Sequence, residues 1–502
     1  MKDGTRLAAV DLGSNSFRLE IGRIEHGQFY RTEYLKETVR QGNGLDDERN
    51  LTPEALQNGW DCLARFGERL AGFSSLEVRA VATQTLREAR NRDDFLLRAN
   101  AVLGFPIDVI SGREEARLIY QGVAQTLPQG NERRLVIDIG GRSTELILGQ
   151  GFEPTQMESY RVGSIAWSTR YFPDNQLSKH NFQMAEIAAK AVLDEALNAY
   201  RRDTWDVAYG SAGTVGAVVD VLAAAGWPAA SVSRAGLDWL QDKLISAQST
   251  DRIRLPGMRD DRRAIIGGGL SILRALFDLL QIDELQQAAG GLRHGLIFDL
   301  MGDTSDQTDV RAKSVVRLAA KFDTDSTHGQ RVGKVANHLF RQLQAQAAEP
   351  EKLAHERLNQ KLNWAGQLHE IGSQISHSDY HKHGAYILDN ADVMGFALGE
   401  LHTLSLLVLG HRGKLRKLEV DFEDETFVQQ LLTLRLAVIL CHARRDPDLK
   451  GLALTREAGN ENNFILNCRT GWAKAFPQSA HLLREEMLAW QKTPWSLTLT
   501  GF

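Results

Sequence analysis

The sequence predicts an α/β fold in which two related modules follow each other, with a helical region and a small α+β module after them. A loop of an acidic residue, glycine and small polar residues occurs twice, at 11–16 and 138–144, each time between two short apolar runs. That pattern is typical of two strands joined by a tight turn. After residue 302, apolar residues recur with helical spacing, and strand-like runs return only near the end of the chain.

The first module begins with strand-like runs and then alternates helices and strands. The patterns predict strands at 7–10, 17–24, 29–35, 78–81 and 107–110, and helices at 53–70 and 93–103. Ser111 and Glu114 form a capping-box pattern, which predicts a further helix from there to about residue 126. We therefore assign residues 1–125 to the first domain.

The second module repeats this order of elements. Its predicted strands lie at 135–137, 145–148 and 207–209, and the last precedes a further short glycine motif at 210–214. If the modules are alike, the two loops face each other across a cleft. The polar segment 303–309 is predicted to be a linker, which places the second domain at 126–303.

The rest of the chain divides into a helical domain, 304–445, and a small C-terminal module, 446–502. In that module, strand-like runs at 464–468 and 496–500 flank a helical pattern at 480–491.

Composition limits the class of protein. A chain of 502 residues is too long for a single core, and 43% hydrophobic with 25% charged residues is typical of a globular protein. No apolar stretch reaches about 18 residues and the N-terminus has no apolar segment, so we expect no transmembrane segment and a cytoplasmic location. Cys62, Cys441 and Cys468 are too scattered for a disulfide framework or a zinc site. The net charge of −5 does not favour nucleic acid, so any polyanionic ligand must meet a local basic surface.

Each of the two loops has the chemistry of an anion site. Backbone N–H groups of a tight turn can converge on a phosphate, while the carboxylate at the strand end holds a metal ion. One such loop is weak evidence, because glycine and serine after a strand are also ordinary turn residues. The duplication raises the weight of the phosphate interpretation, since two loops can grip one phosphate chain from both sides.

Five segments carry a more specific resemblance. They are DLGSNSFRL (11–19), ATQTLREARN (82–91), ISGREEARLIY (110–120), VIDIGGRSTEL (136–146) and GSAGT (210–214). With them the chain resembles the exopolyphosphatase and guanosine pentaphosphate phosphatase (Ppx/GppA) family. The likeness extends to nearly the whole chain through LHEIGSQISHS (368–378) and HKHGAYIL (381–388), and it is strongest to the long bacterial exopolyphosphatases.

The resemblance implies the actin, sugar-kinase and heat-shock-chaperone fold, in which two ribonuclease-H-like domains enclose the active site. This agrees with the duplicated modules. It also implies hydrolysis of terminal phosphoanhydride bonds, with Mg²⁺ as cofactor and a monovalent cation such as K⁺ as a further candidate. A homodimer is implied as well, and peripheral membrane association is compatible with it.

The resemblance assigns roles to residues of the cleft. Glu115 matches the catalytic glutamate, the base for a water in line with the terminal phosphorus. Asp138 and Glu145 match metal-associated positions, and Asp11 is the symmetric candidate. Arg87 matches an arginine that binds phosphate bidentately. The remaining phosphate-binding candidates lie in the glycine motifs and are Gly13, Ser14, Asn15, Ser16, Gly140, Gly141, Arg142, Ser143, Thr144, Ser211, Gly213 and Thr214.

Structural roles remain open alternatives at several positions. Glu114 is better explained as a charge at the positive end of its helix, and Glu145 as an exposed strand residue is a lesser alternative. Arg142 stands where the family has a glycine, so its side chain either contacts phosphate or points to solvent. The segment 291–295, with His294 in place of an acid, is taken as structural.

The helical region resembles a degenerate HD phosphohydrolase domain. Its candidate residues are His328, His369, Glu370, His377, His383 and His411. The dipeptide is His-Glu instead of His-Asp, and the segment 434–438 has an apolar residue where an HD enzyme has its last aspartate. We therefore predict a binding surface in preference to metal catalysis. Basic residues are concentrated in two places, before the last helices of the second domain and in the helical region. They either form a track that binds a long polyanion or are solvated surface charges, and the sequence favours neither interpretation. The residues are Arg262, Arg263, Lys382, Arg412 and Lys414.

The favoured function is that of an exopolyphosphatase that hydrolyses inorganic polyphosphate processively. The first alternative is a 5′-phosphohydrolase of guanosine pentaphosphate, because the cleft motifs do not separate the two substrates. The second alternative is a non-hydrolytic nucleotide-binding switch of the same fold. Glu115 argues against it, because a protein that only binds a nucleotide needs no catalytic base. A kinase is weaker still, since no adenine-binding pattern is found.

Overall fold

The computed structural model describes residues 2–128, 130–302, 310–344, 349–391, 393–457 and 459–501. The chain divides into two compact units, Met1–Thr308 and Asp309–Phe502. The segment 303–309, predicted to be a linker, lies outside the described residues. No helix among the described residues is long and apolar enough to cross a membrane.

The first unit begins with a five-stranded sheet of order β3-β2-β1-β4-β5. Its strands are β1 (Arg6–Leu12), β2 (Phe17–Glu25), β3 (Gln28–Glu37), β4 (Val78–Ala82) and β5 (Ile107–Val109). The first three strands are antiparallel, and β1, β4 and β5 are parallel. The helices of this part are α1 (Pro53–Arg69), α2 (Gln84–Glu88), α3 (Arg92–Leu103) and α4 (Gly112–Ala124). The predicted start of α4 is confirmed, because the hydroxyl of Ser111 accepts a hydrogen bond from the Glu114 amide at 3.2 Å.

A second sheet of six strands, in the order β10-β11-β9-β6-β7-β8, repeats this plan. Its strands are β6 (Arg133–Ile139), β7 (Thr144–Gln150), β8 (Glu153–Tyr160), β9 (Val207–Ser211), β10 (Ser231–Ser233) and β11 (Glu284–Gln287). Again three antiparallel strands come first, and the first of them then pairs with a parallel strand. The helices are α5 (Ser164–Tyr171), α6 (Lys179–Leu193), α7 (Ala212–Ala224), α8 (Arg234–Ala247), α9 (Asp260–Arg263), α10 (Ile266–Leu279) and α11 (Leu292–Gly302).

Helix α11 packs against the first module and not the second. The predicted second domain of 126–303 therefore wrongly includes this helix. Leu296 and Leu300 share a core with Leu7 of β1 and with Leu118 of α4. Helices α4 and α11 approach closely, because a Cβ atom on Gly295 would lie 2.0 Å from the Leu118 carbonyl oxygen. The chain therefore returns to its first module before the unit ends.

The second unit is mainly helical. Its helices are α12 (Val310–Lys321), α13 (Ser326–Leu343), α14 (Glu349–Leu368), α15 (Tyr380–Asn390), α16 (Leu398–Gly410), α17 (Glu425–Leu440), α18 (Trp472–Ala475) and α19 (Pro477–Trp490). Three strands, β12 (Leu452–Glu457), β13 (Asn460–Cys468) and β14 (Ser496–Thr500), form one sheet in that order. Leu454 and Leu466 of this sheet lie in the same core as Phe340 and Leu432 of the helices. Residues 446–502 are therefore not the separate module that the sequence predicted.

Candidate active site

The two glycine loops lie against each other within the first unit. Loop 11–16 follows β1, and loop 138–144 joins β6 to β7. A Cβ atom on Gly141 would stand 3.1 Å from the Cβ of Ser14. The carbonyl of Ser14 also accepts a hydrogen bond from the Gly42 amide at 2.8 Å. The facing arrangement expected from the duplication is thus what the structure has.

The turns inside the two loops have the same local geometry. A Cβ on Gly13 would lie 3.1 Å from the Ser16 carbonyl oxygen, and a Cβ on Gly140 would lie 3.1 Å from that of Ser143. None of these glycines has a positive φ. Glycine is favoured here for space, because a side chain would press on the carbonyl across the turn.

Four carboxylates are buried beside these loops. Asp11, Glu115, Asp138 and Glu145 are 3%, 7%, 8% and 1% exposed, and they come from β1, α4, β6 and β7. Glu145 also accepts a hydrogen bond from the Ser159 hydroxyl at 2.7 Å. Its burial excludes the alternative of an exposed strand residue.

The burial of these carboxylates disfavours their charged forms. Burial raises the pKa of Asp138 to about 6, although a hydrogen bond from the Ser211 hydroxyl at 2.5 Å works in the opposite direction. Burial, and then the charge of Glu115, raises the pKa of Glu145 well above its ordinary value. The pKa of Glu115 is also raised by burial, and the charge of Arg87 offsets part of that rise. The cluster therefore favours a ligand that brings positive charge.

The two loops differ in the residue that faces their acid across the hairpin. Asp138 of β6 is paired in register with Glu145 of β7, whereas Asp11 of β1 is paired with Arg18 of β2. Arg18 lies 3.2 Å from Asp11, and Arg293 lies 3.7 Å from it. The second loop thus has two adjacent carboxylates, and the first has one that is already neutralised.

Arg87 contacts the candidate base. Its Nη1 donates to Glu115 at 2.8 Å and to the Ile110 carbonyl at 2.9 Å, while Nε and Nη2 donate to Gln84. The expected bidentate grip on phosphate is not available to a guanidinium held in this way. Instead, Arg87 fixes the orientation of the Glu115 carboxylate.

Glu114 lies in the first turn of α4, as expected for a charge at the positive end of the helix, and it also belongs to a buried ion network. Its two oxygens accept from Arg117 at 2.8 Å each, and it is fully buried. Arg117 also donates to Asp299 of α11 at 2.7 Å, and Arg79 of β4 donates to Asp299 at 2.8 Å. This network holds α4, which carries Glu115, against α11 and β4.

Arg142 follows neither of the two expected paths. Its Nη2 and Nε donate to Glu88 of α2 at 2.7 and 3.1 Å, and Nη1 donates to the Gly42 carbonyl at 3.0 Å. Its φ is not positive, so the missing glycine costs no backbone strain. The side chain ties the second loop to the first module.

Several polar groups near the loops have no hydrogen-bond partner among the described residues, although Arg262 lies 3.8 Å from Asp261 in a long ion pair. They are Nδ2 of Asn15, Oγ of Ser16, both amide atoms of Gln41 and Nε of Arg262. The Arg262 guanidinium lies against the glycine motif after β9, where a Cβ on Gly213 would be 2.1 Å from its Nη2. Buried donors of this kind normally have a partner. A bound phosphate chain would supply it.

Other predicted phosphate contacts are used within the protein. The hydroxyl of Ser211 donates to Asp138, and those of Thr144 and Thr214 donate to backbone carbonyls. Only their backbone remains a candidate for phosphate binding.

The proposed polyanion track divides between the two units. Arg263 and Lys382 each pair with an aspartate three residues earlier, at 2.9 and 3.0 Å, and Arg412 lies over an aromatic ring. Lys382, Arg412 and Lys414 belong to the second unit, and Arg262 and Arg263 to the first. Arg262 alone of these is buried beside the glycine motifs.

The helical second unit contains a compact group of possible metal ligands. Ligand atoms of His328, His369 and Glu370 all lie within 4.8 Å of one another, and in the described part of the chain no other three His, Cys, Asp or Glu residues do so. Asp11, Asp138 and Glu145 therefore do not form a ready three-ligand cage. His411 packs beside His369, whereas His377 is exposed and outside the group.

Comparison with known proteins gives matches over nearly the whole chain. The sequence model of the Ppx/GppA phosphatase family matches residues 21–304, and that of Ppx/GppA phosphatase domain III matches residues 310–488. The guanosine-5′-triphosphate,3′-diphosphate pyrophosphatase of Vibrio parahaemolyticus is 37% identical over 98% of both chains. The protein of the same name from Vibrio cholerae is 36% identical over 98% of this chain and 97% of its own.

Solved structures of lower identity share the fold. An exopolyphosphatase from Cytophaga hutchinsonii is 22% identical, with a TM-score of 0.54 over 60% of this chain and 99% of that one. The Aquifex aeolicus member of the Ppx/GppA family is 23% identical, with a TM-score of 0.51 over 60% of this chain and 99% of its own.

Proposed function

This chain belongs to the Ppx/GppA phosphatase family, and from that premise we propose that it hydrolyses the terminal 5′ phosphate of guanosine 5′-triphosphate 3′-diphosphate. The observation that carries this choice is the 36–38% identity, over at least 97% of each chain, to relatives named for that substrate. The names of these relatives favour guanosine pentaphosphate over polyphosphate, the substrate that the sequence motifs alone had favoured. Both substrates present a terminal phosphoanhydride to the same cleft.

The proposed base is Glu115. A carboxylate on the first turn of α4, held by Arg87, can orient and deprotonate a water that attacks the terminal phosphorus. Its raised pKa makes it a stronger base than a solvated glutamate. A switch that only binds a nucleotide has no use for such a group.

The carboxylates of Asp138 and Glu145 fit a Mg²⁺ ion. Mg²⁺ is usually bound through one or two carboxylates, with phosphate oxygens and waters completing its shell, so a three-carboxylate cage is not needed. When bound, the ion neutralises charge that develops on the phosphate oxygens. Asp11, already paired with Arg18, is the weaker candidate ligand. The homodimer, K⁺ and peripheral membrane association stay predictions.

The loops are proposed to hold the phosphates. Four residues near the loops bring donors that have no hydrogen-bond partner among the described residues, namely Asn15, Ser16, Gln41 and Arg262. Because each is buried, a phosphate oxygen that met it would satisfy it without competition from water.

The test compares orthophosphate release from guanosine pentaphosphate, long-chain polyphosphate and GTP, with Mg²⁺, as kcat/KM. We expect the pentaphosphate to be preferred by about tenfold or more, which is about 1.4 kcal/mol of transition-state binding. Faster orthophosphate release from polyphosphate than from guanosine pentaphosphate would contradict the proposed substrate, but it would still support phosphoanhydride hydrolysis.

A second comparison tests the base. Glu115→Gln is expected to lower kcat by at least about 10²-fold on every substrate while nucleotide binding is retained. Glu153→Gln, at the exposed start of β8, is the matched control and should leave kcat unchanged. Normal turnover by Glu115→Gln would remove this residue from the mechanism.

A further inference from the structure

A group of histidines lies inside the second unit, at the ends of three helices. His328 is in the first turn of α13, His369 and Glu370 directly follow α14, and His411 directly follows α16. The ring centroids of His328 and His369 are 5.5 Å apart, and those of His369 and His411 are 5.2 Å apart. All three imidazoles are buried.

Hydrogen bonds define which nitrogens face the interior of this group. Nδ1 of His369 lies 2.7 Å from the Gly366 carbonyl oxygen, and Nδ1 of His411 lies 2.6 Å from that of Val408. A carbonyl oxygen only accepts, so each Nδ1 carries the proton and each Nε2 keeps its lone pair. This is the tautomer that metal-binding histidines adopt when a backbone carbonyl orients them.

Two of the imidazole nitrogens have no partner. Nε2 of His411 and Nδ1 of His328 are buried and make no hydrogen bond with any described residue. Buried polar atoms normally have a hydrogen-bond partner or a ligand.

We propose that the second unit binds a divalent transition-metal ion of the kind that imidazole prefers, with Zn²⁺ as the reference ion. The ligands are His328, His369 and Glu370, whose ligand atoms all lie within 4.8 Å of one another, and His411 is the adjacent fourth donor. Mixed nitrogen and carboxylate ligands select Zn²⁺ and its neighbours over Mg²⁺. The site is chemically distinct from the all-carboxylate cluster of the first unit.

Arg444 competes with the metal for Glu370. Its Nη2 donates to both Glu370 oxygens, at 2.8 and 3.1 Å, and its Nη1 donates to Asp325 at 3.0 Å. The Arg444 side chain is 51% exposed, and ion pairs in such settings are weak. A metal can therefore displace it, at some loss of affinity.

The test uses the full chain after treatment with a chelator. Co²⁺ replaces Zn²⁺ as the probe because its visible absorption reports coordination by protein ligands, and equilibrium dialysis gives stoichiometry and affinity. We expect one tight Co²⁺ per chain that a large excess of Mg²⁺ does not displace. His369→Gln should weaken that binding by about tenfold or more, and Arg444→Gln should strengthen it.

His402→Gln is the matched control, since His402 is an exposed histidine of the same unit, and it should bind Co²⁺ like the parent protein. Equal binding by the parent and His369→Gln, or no tight binding by the parent, overturns the proposal. If His369→Gln loses its far-ultraviolet circular dichroism, Glu370→Gln at the half-buried ligand takes its place with the same criterion. Zn²⁺ should also raise the melting temperature of the parent and not that of the ligand variant.

Discussion

At the scale of single residues, the two loops differ in the residue that is paired with their aspartate across the hairpin. Asp11 and Arg18 are seven positions apart, and Asp138 and Glu145 have the same spacing across the same kind of hairpin. One pair is a cation and an anion, and the other consists of two anions. The duplicated turn therefore supports two different electrostatic sites.

Asp138→Asn is expected to stabilise the ligand-free protein while lowering its activity. The pKa of Asp138 is raised from 3.8 to about 6, so its ionised form is disfavoured in the folded state. For a carboxyl whose folded pKa exceeds the unfolded one, the destabilisation is absent below about pH 3.8, grows between the two values and is complete above about pH 6. Removing it should gain on the order of 3 kcal/mol at pH 8.

Thermal unfolding without Mg²⁺, from pH 8 down to pH 4, measures this difference. The gain of the variant in melting temperature should stay near its full value from pH 8 to about pH 6 and shrink as the pH falls further towards 4. Asp242→Asn, at an exposed helical position, is the control and should show no such trend. A variant that melts below the parent at pH 8 would contradict the destabilisation that we assign to the buried, charged carboxylate.

Sequence reasoning found the acids of the site and missed some of their partners. Glu115, Asp138 and Glu145 stand in distinctive motifs, whereas Gln41 comes from a segment without one. Arg293 lies in the segment 291–295, which the sequence analysis took as structural, yet it reaches Asp11. The equal spacing across the two hairpins would have identified Arg18. Nothing in the sequence shows that Arg87 is held by Glu115, because side-chain orientation depends on the packed structure.

At the scale of elements, helix α4 is the part that places the base. Glu114 and Glu115 are adjacent, but one is bound to the Arg117 and Asp299 network and the other faces the loops. Consecutive residues of a helix point about 100° apart, so fixing the first directs the second.

Asp299→Asn is expected to lower stability and kcat together. It removes the charge that pairs with both Arg117 and Arg79, and breaking a buried ion network typically costs about 3–5 kcal/mol. Because α4 would then be less firmly held, kcat should fall while KM changes little. Steady-state kinetics and thermal unfolding measure both effects.

Asp278→Asn provides the comparison, since Asp278 forms more exposed pairs with Lys190 and Arg234 elsewhere in the first unit. It should change kcat little. If Asp299→Asn keeps full kcat despite a lower melting temperature, the network stabilises the fold without positioning the base.

The positions of helices and strands were easier to predict from the sequence than the elements with which they pack or pair. Apolar runs and caps located most strands of the two sheets and the start of α4, because those signals are local. The return of α11 to the first sheet depends on close contact at Gly122 and Gly295, which no local pattern encodes. Strand β12 was missed, and its pairing with β13 joins the C-terminal sheet to the helical core.

At the scale of the whole molecule, each unit has hydrophobic cores of its own. The clusters around Leu146 and around Leu296 contain only residues of the first unit, and the cluster around Leu432 contains only residues of the second. A unit with its own core can unfold cooperatively by itself. The full chain should therefore unfold in two calorimetric transitions.

Matched variants assign these transitions. Arg435 and Glu486 are both buried in the second unit, with Arg435 Nε and Nη2 at 2.5 and 2.7 Å from the carboxylate. Arg435→Met leaves Glu486 buried without its cationic partner, with only the Trp490 indole still donating to it. Such a change typically costs about 3–5 kcal/mol, so one transition should move down by several degrees. Asp138→Asn should move only the other transition, upward at pH 8. Because each substitution acts inside one core, a single transition that both variants shift would show that the chain unfolds as one cooperative body.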